Sequence, residues 1–175
     1  MINEIIKRNG ITFGVLVGIL SSLITASIYA IDLNFFVSWW VGVLSIMIYL
    51  VLGIVLLSKT KKELKGVFPF KEAFTTYFIC AVIAILIGTA FNILLFNVID
   101  PSAQDTLKEI TLKNTIAMME KFNSPPAAIN DVISKMKDSN PFSTIELLKG
   151  SVSSIVFSSI FGLIMAAFFK SKSQE

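Results

Sequence analysis

The sequence contains no histidine and only one cysteine, and charged side chains make up just 15% of its 175 residues. Soluble domains average about 25% charged residues. Without histidine, the chain lacks the commonest general base and the commonest transition-metal ligand. A single cysteine cannot form an intramolecular disulfide, which excludes a disulfide-stabilised scaffold. Cys80 lies in an apolar run, and we interpret it as a small buried apolar residue and not as a reactive nucleophile.

Apolar residues make up 54% of the chain, and its mean hydropathy is +0.77. Four stretches free of charged residues run for 23, 26, 27 and 20 residues. About 20 residues of helix cross a hydrocarbon core of ~30 Å, and a spanning segment must satisfy its backbone internally. The sequence therefore predicts an all-α polytopic membrane protein, a single domain over 1–175 with four transmembrane helices in a bundle. The predicted spans are 11–31, 35–57, 73–99 and 151–169.

A secretory signal peptide is the alternative interpretation of the first span, because Lys7 and Arg8 precede it. Its apolar stretch is about twice the ~7–15 residues of a signal-peptide core. The cleavage site that would precede Ile31 has Ile28 where a small residue is required. We therefore expect an uncleaved membrane anchor.

The basic residues predict the orientation. The termini and the second connection share one side of the membrane, and their nine basic residues are Lys7, Arg8, Lys59, Lys61, Lys62, Lys65, Lys71, Lys170 and Lys172. The first connection on the other side has none, and the lysines of the long connection 100–149 are mixed with acids. The positive-inside rule then predicts cytoplasmic termini and an external 100–149. Because the lysines cluster between spans, the pI near 9 does not indicate a nucleic-acid partner.

Small residues recur at every fourth position of the first and last spans. The predicted helix-packing residues are Gly10, Gly14, Gly18, Ser22, Gly150, Ser154, Ser158 and Gly162. Small residues let helix backbones approach closely in lipid. A step of four residues advances the helix by about 400°, so the stripe drifts and cannot face one partner over its whole length. We expect spans one and four to pack on each other within the monomer, and a homodimer through span one is the alternative.

The predicted spans hold no ionisable Asp, Glu, Lys or Arg, although carriers usually place one inside the membrane. Asn92 is their strongest polar group, and its two interpretations are a bridge between two helices and a substrate ligand. The sequence has no glycine-rich phosphate loop, metal-spaced cluster or nucleophile elbow. We therefore predict no catalytic, cofactor-binding or metal-binding residues, and no cofactor.

The connection 100–149 is too long for a structureless loop in a compact protein. We predict one helix over 106–122 and a second that begins at Pro125-Pro126 and carries an apolar stripe of Ile129, Val132, Ile133 and Met136. Ser143 to Glu146 matches a capping box, so the last helix should begin near Thr144. Two short amphipathic helices of this kind can lie on the bilayer, pack on each other or bind a partner.

Several short motifs occur in a characteristic order. Lys7-Arg8-Asn9-Gly10 opens the first span, Gly66-Val67-Phe68-Pro69-Phe70-Lys71-Glu72-Ala73-Phe74 leads into the third, and Asp100-Pro101 follows it. With two spans, a lysine-rich connection, a third span, a long loop and a fourth, the chain resembles the uncharacterised bacterial four-helix membrane proteins catalogued as domain of unknown function 4199. The resemblance implies a bacterial inner-membrane location. That family carries no agreed activity, so no functional residues are carried over from it.

Two hypotheses about function follow. The first is a non-enzymatic inner-membrane subunit or scaffold that binds another membrane or envelope protein, through 100–149 or through the small-residue stripes. The second is a small transporter or channel component that acts as a homo-oligomer. The lipid bilayer is a partner under both hypotheses, and an enzyme is not expected.

Overall fold

The computed structural model describes residues 2–138 and 140–171, and Lys172 therefore lies outside the described residues. It contains six α-helices: α1 (Glu4–Ile31), α2 (Trp39–Glu63), α3 (Phe70–Ile93), α4 (Ala103–Lys121), α5 (Pro126–Asp138) and α6 (Thr144–Phe169). A 3-10 helix, Leu33–Val37, precedes α2, and a π-helical segment, Leu94–Ile99, continues α3. The structure is 86% helical, and none of the described residues forms a strand. The predicted all-α class is confirmed.

Four of these helices are long and apolar enough to cross a membrane. They are α1, α2, α3 with its π-helical continuation, and α6, with lengths of 28, 25, 30 and 26 residues and mean hydropathies between 2.1 and 2.6. Each exceeds the ~20 residues that a span requires. The prediction of a polytopic protein with four transmembrane helices is therefore confirmed.

The long helices begin and end at polar signals outside the apolar stretches. The side chain of Asn3 accepts the backbone N–H of Ile5 at 2.9 Å, and α1 therefore begins ahead of the predicted span. The Ser143 hydroxyl accepts the N–H of Glu146 at 3.4 Å, so α6 begins at Thr144, as the capping box predicts. At the end of α2, Gly66 has a φ of +85° and its N–H reaches the carbonyl of Lys61 at 3.0 Å.

Helix α3 is the centre of the bundle. Both α1 and α6 pack along it, whereas α2 contacts α1, α3 and α6 less extensively. Helices α1 and α6 lie at opposite corners and share no extended contact. The prediction that spans one and four pack on each other is therefore wrong, because Gly10, Gly14 and Gly18 of α1 and Gly162 of α6 approach α3 instead.

Residues at four-residue spacing on α1 and α3 fit together, which explains why α1 packs on α3. A Cβ atom on Gly10, Gly14 or Gly18 would lie within 3.0 Å of a side chain of α3, and the three facing residues are Ile79, Ile83 and Ile87. Glycines on one helix and β-branched residues on the other therefore share one register, with the two helices parallel. The later stripe residue Ser22 is only half-buried and donates to the Gly18 carbonyl at 2.9 Å. The close approach of the stripe to α3 is thus seen at Gly10, Gly14 and Gly18.

The stripe on α6 contacts α3 over part of its length only. A Cβ atom on Gly162 would lie 2.8 Å from the Tyr77 ring, which shows a close approach of the two helices. In contrast, Gly150 has open space around it, and Ser154 is exposed. The predicted packing role of these two residues therefore stays a prediction.

Two apolar clusters close the bundle at its two ends. We call the end where α1 begins and α6 ends the terminal end, and the end that carries α4 and α5 the hairpin end. The terminal cluster consists of Leu57, Phe68, Ala73, Met165 and Ala166, and the hairpin cluster consists of Leu95, Phe96, Ala103 and Leu107. The middle of the bundle lies between the two clusters, and it contains a cavity.

Candidate functional site

A cavity of about 440 Å³ lies inside the bundle between the two apolar clusters. This volume falls in the ~300–1,000 Å³ range of small-molecule sites. All four long helices contribute to its wall. The residues that line it with polar side chains are Ser21, Tyr49, Tyr77, Thr89, Asn92, Ser154 and Ser158, together with the thiol of Cys80.

Small residues on α3 and the position of α2 create the cavity. Ala84 and Gly88 of α3 line it and leave space that larger side chains would fill. The buried residues of α2, from Gly53 to Thr60, all lie toward its C-terminal end, so its first half stands away from the core. Ile46 of α2 and Phe157 of α6 line the cavity and are 53% and 68% exposed. The mouth of the cavity therefore opens between α2 and α6 toward the surrounding lipid.

The hydroxyls in the cavity wall differ from most other hydroxyls of the long helices in their hydrogen bonding. Ser and Thr in a membrane helix commonly donate to a carbonyl on the preceding turn. The residues that do so here are Ser22, Ser27, Ser45, Thr60, Thr75, Thr76, Ser151, Ser153 and Ser159. None of them lines the cavity.

The hydroxyls that do line the cavity are those of Ser21, Thr89, Ser154 and Ser158. Within the described part of the chain, none of the four makes such a bond to its own helix. Ser158 of α6 instead lines the cavity together with Tyr77 of α3. The cavity thus brings together four hydroxyls that, among the described residues, are not bonded to their own helix, although Thr12, Thr25 and Ser58 elsewhere in the long helices share that property.

Asn92 lines the cavity but does not bridge two helices. Its side-chain amide donates to the carbonyl of Gly88 at 2.8 Å, inside α3. The predicted interhelical bridge at Asn92 is therefore wrong, because the previous turn of its own helix offers a nearer acceptor. Asn9 makes such a bridge instead, from α1 to Thr60 at 3.2 Å and to Glu63 at 3.0 Å. Its place in the Lys7-Arg8-Asn9-Gly10 motif is the one sequence signal that could have identified it.

Cys80 is a free cysteine that lines the cavity and is only 8% exposed, as expected for a small buried residue. Within residues 2–138 and 140–171, no group of three or more Cys, Asp or Glu side chains is placed to hold a metal ion.

At the hairpin end, polar contacts tie α1 and α6 to the continuation of α3. The Tyr29 hydroxyl donates to a carboxylate oxygen of Asp100 at 2.7 Å. Hydrogen bonds from the hydroxyls of Ser102 and Tyr29 hold the pKa of Asp100 below its usual value. Asn97, in the π-helical segment, donates to the carbonyl of Phe142 at 3.0 Å and so fixes the chain just before α6.

Helices α4 and α5 form an antiparallel pair outside the four long helices, which we call the hairpin. Leu107 of α4 is fully buried in the hairpin cluster, and Asn114 donates to the carbonyl of Val37 at 3.1 Å. Helix α5 packs mainly on α4. At the far end of α4, Met118 and Phe122 are 57% and 75% exposed.

The fold and the apolar spans define a multi-pass helical membrane protein. The family described as "Protein of unknown function (DUF4199)" matches residues 12–171, and the chain belongs to this family. The resemblance inferred from its motifs is therefore confirmed. No curated protein and no solved structure matches the chain.

Proposed function

We propose that the protein is a non-enzymatic integral membrane subunit or scaffold that uses the hairpin to bind another membrane or envelope protein. The observation that carries this proposal is a hairpin anchored at its base, with large apolar side chains exposed at its tip. Aromatic residues and methionine are enriched in protein–protein interfaces.

The base of the hairpin supports this function because it gives the tip a defined position. Ala103 and Leu107 belong to the hairpin cluster, and Asn114 holds α4 against the connection between α1 and α2. A partner would therefore meet a pre-ordered surface and lose little free energy in ordering it. The exposed pair Met118 and Phe122 lies beyond this anchored region.

We further propose a bacterial inner-membrane location with cytoplasmic termini and an external hairpin. The nine basic residues of the termini and the second connection support this orientation, since lysine and arginine are retained on the cytoplasmic side. An external hairpin would place Phe122 where an envelope protein can reach it.

The test is co-purification of the full-length chain from its native membrane in a mild detergent. A stoichiometric partner should be retained by the wild type and lost with Phe122→Ser. Asn130→Ser is the matched control, since it changes an exposed hairpin residue without removing apolar surface. Retention of the partner by both variants, or recovery of the wild type without any partner, would contradict the proposal.

The cavity favours a second candidate function, a small transporter or channel component that acts as a homo-oligomer. Only 17% of the apolar window in each long helix is buried inside the chain, which leaves surface for contacts between copies. The same purification distinguishes the two functions. A stable homo-oligomer with a polar lumen supports the second, and a heterologous partner bound through the hairpin supports the first.

A further inference from the structure

We propose that the cavity binds an uncharged, membrane-soluble molecule that presents carbonyl oxygens to its hydroxyl-lined wall. Isoprenoid quinones and diacylglycerols share this chemistry. The proposal concerns the bundle interior and does not depend on the function proposed for the hairpin.

The position of the cavity indicates a ligand that comes from the lipid phase. Its lining on α3 extends from Tyr77 to Asn92, which corresponds to about 22 Å at ~1.5 Å per residue. That length fits inside a hydrocarbon core of ~30 Å. The mouth lies beside the exposed Ile46 and Phe157, so a molecule dissolved in the bilayer can enter sideways between α2 and α6.

The uncharged lining of the cavity disfavours ionic ligands. No Asp, Glu, Lys or Arg side chain is among the residues that line the cavity. A charged group moved into such a site would lose its hydration without gaining a counter-ion. An anionic lipid headgroup and a metal cation are therefore both poor occupants, and a neutral molecule is favoured.

The hydroxyls of the lining favour a ligand with hydrogen-bond acceptors. Within the described residues, Ser21, Thr89 and Ser154 line the cavity without donating to their own helices, whereas neighbours such as Ser22 and Ser153 are back-bonded. The phenol of Tyr49 adds a further donor to the same wall. Inside a bilayer these donors have little water to bond, whereas a ligand carbonyl can accept from them.

The rest of the wall suits the apolar body of such a molecule. Phe157 and Phe161 of α6 flank one side, and Leu50 of α2 lies on the other. These side chains can cover a ring or an alkyl chain, while the hydroxyls engage the carbonyls. Most ligand sites combine an apolar wall with a few placed polar groups in this way.

The test uses the full-length protein in neutral phosphatidylcholine nanodiscs and three probes that differ in their polar ends. Decylubiquinone and dioctanoylglycerol carry carbonyls, and decylbenzene carries none. Either carbonyl probe should raise the unfolding temperature saturably, because a ligand that binds only the folded state stabilises it. Binding by decylubiquinone alone would identify a quinone-type ligand, and binding by dioctanoylglycerol alone a glyceride-type ligand. Equal stabilisation by decylbenzene, or no saturable shift with any probe, would overturn the proposal.

Neighbouring hydroxyls on α6 provide matched variants. Ser154→Ala removes a lining hydroxyl, whereas Ser153→Ala removes one that is bonded to the carbonyl of Lys149 and lies outside the cavity. Ser154→Ala, and likewise the near-isosteric Thr89→Val, should weaken carbonyl-probe binding by about twofold to tenfold, the usual effect of one lost hydrogen bond. Ser153→Ala should leave the binding constant unchanged. Equal weakening by Ser153→Ala and Ser154→Ala would contradict recognition by the lining hydroxyls.

Discussion

The side-chain amide of Asn9 on α1 donates to the Glu63 carboxylate at the end of α2, with 3.0 Å between nitrogen and oxygen. The same amide reaches the Thr60 hydroxyl at 3.2 Å, and Arg8 reaches Glu63 at 2.8 Å. Asn9 is only 3% exposed, whereas the Arg8 side chain is 65% exposed. The buried amide of Asn9 therefore contributes more than the exposed Arg8–Glu63 ion pair to holding α2 against α1 at the terminal end.

This difference in burial predicts unequal effects of two substitutions. Asn9→Ala should lower the free energy of unfolding by about 1–3 kcal/mol, because it leaves the buried Thr60 hydroxyl oxygen without its donor. Arg8→Ala should cost no more than about 1 kcal/mol, since exposed ion pairs contribute little. Unfolding in mixed detergent micelles measures both variants. A larger loss for Arg8→Ala than for Asn9→Ala would show that the ion pair dominates.

The contact between α1 and α3 predicts that Gly14 does not tolerate even one added methyl group. A Cβ atom there would lie 2.8 Å from Ile83 and 2.9 Å from the backbone oxygen of Cys80, which cannot rotate away. Gly14→Ala should therefore cost about 1–3 kcal/mol of unfolding free energy, as overpacking does. Gly42→Ala is the matched control, because nothing lies within 4 Å of a Cβ atom at Gly42. Equal stability of the two variants would mean that the close approach of α1 and α3 does not exist.

How much of this fold the sequence could predict depends on the kind of signal. The spans could be located because charged residues mark their limits, and Thr144 could be located because Ser143 and Glu146 form a capping signal. The helix that packs against the glycine stripe could not be identified from the sequence, because Ile79, Ile83 and Ile87 look like ordinary lipid-facing residues of a uniformly apolar helix. Only the three-dimensional register shows that they occupy the spaces left by glycine.

The cavity was harder to predict from the sequence than the pairing of the helices. Asn92 stands out as a polar residue in an apolar span, yet the sequence does not show that Gly88 offers it an acceptor. Ser153 and Ser154 are adjacent and chemically identical, but only Ser154 lines the cavity. Ser153 bonds a carbonyl of its own helix, whereas Ser154 faces the cavity, and this difference appears only in the three-dimensional arrangement of the helices.

A disulfide can test the revised pairing of the helices. A Cβ atom at Gly88 of α3 would lie 4.0 Å from the Cβ atom of Ser21 on α1, which is within the range that a disulfide spans. In a Cys80→Ala background, Ser21→Cys with Gly88→Cys should oxidise to an intramolecular crosslink. Gly18→Cys with Ser158→Cys should not, because α1 and α6 share no extended contact. The difference is read as gel mobility with and without reductant, and the reverse result would restore the pairing of spans one and four.

The contact between Tyr29 and Asp100 predicts a pH-dependent contribution to stability. The Ser102 and Tyr29 hydroxyls lower the folded-state pKa of Asp100 below its usual value of 3.8. The ionised carboxylate therefore stabilises the fold at pH values above about 3.8, and this contribution disappears as the pH falls through the folded-state pKa. The unfolding free energies of the wild type and Asp100→Asn should differ at pH 7, and the difference should be smaller at pH 3, below the usual pKa of 3.8. Tyr29→Phe, which removes one donor, should reduce the difference, and an equal gap at both pH values would exclude this linkage.

The lysines at the terminal end predict the orientation of the chain in the membrane. A fluorescent reporter fused after Lys65 should mature in the cytoplasm, and a periplasmic phosphatase inserted at Asn123 should be active, because basic residues near the spans are retained on the cytoplasmic side. Replacing Lys59, Lys61, Lys62 and Lys65 together by glutamine should produce a mixture of orientations. The same change at Lys113, Lys121, Lys135 and Lys149, four lysines of the long connection, should have little effect, because most of them are far from the membrane ends and acids accompany them. A cytoplasmic Asn123 in the unaltered protein would reverse the proposed topology and would place the hairpin within reach of cytoplasmic partners instead.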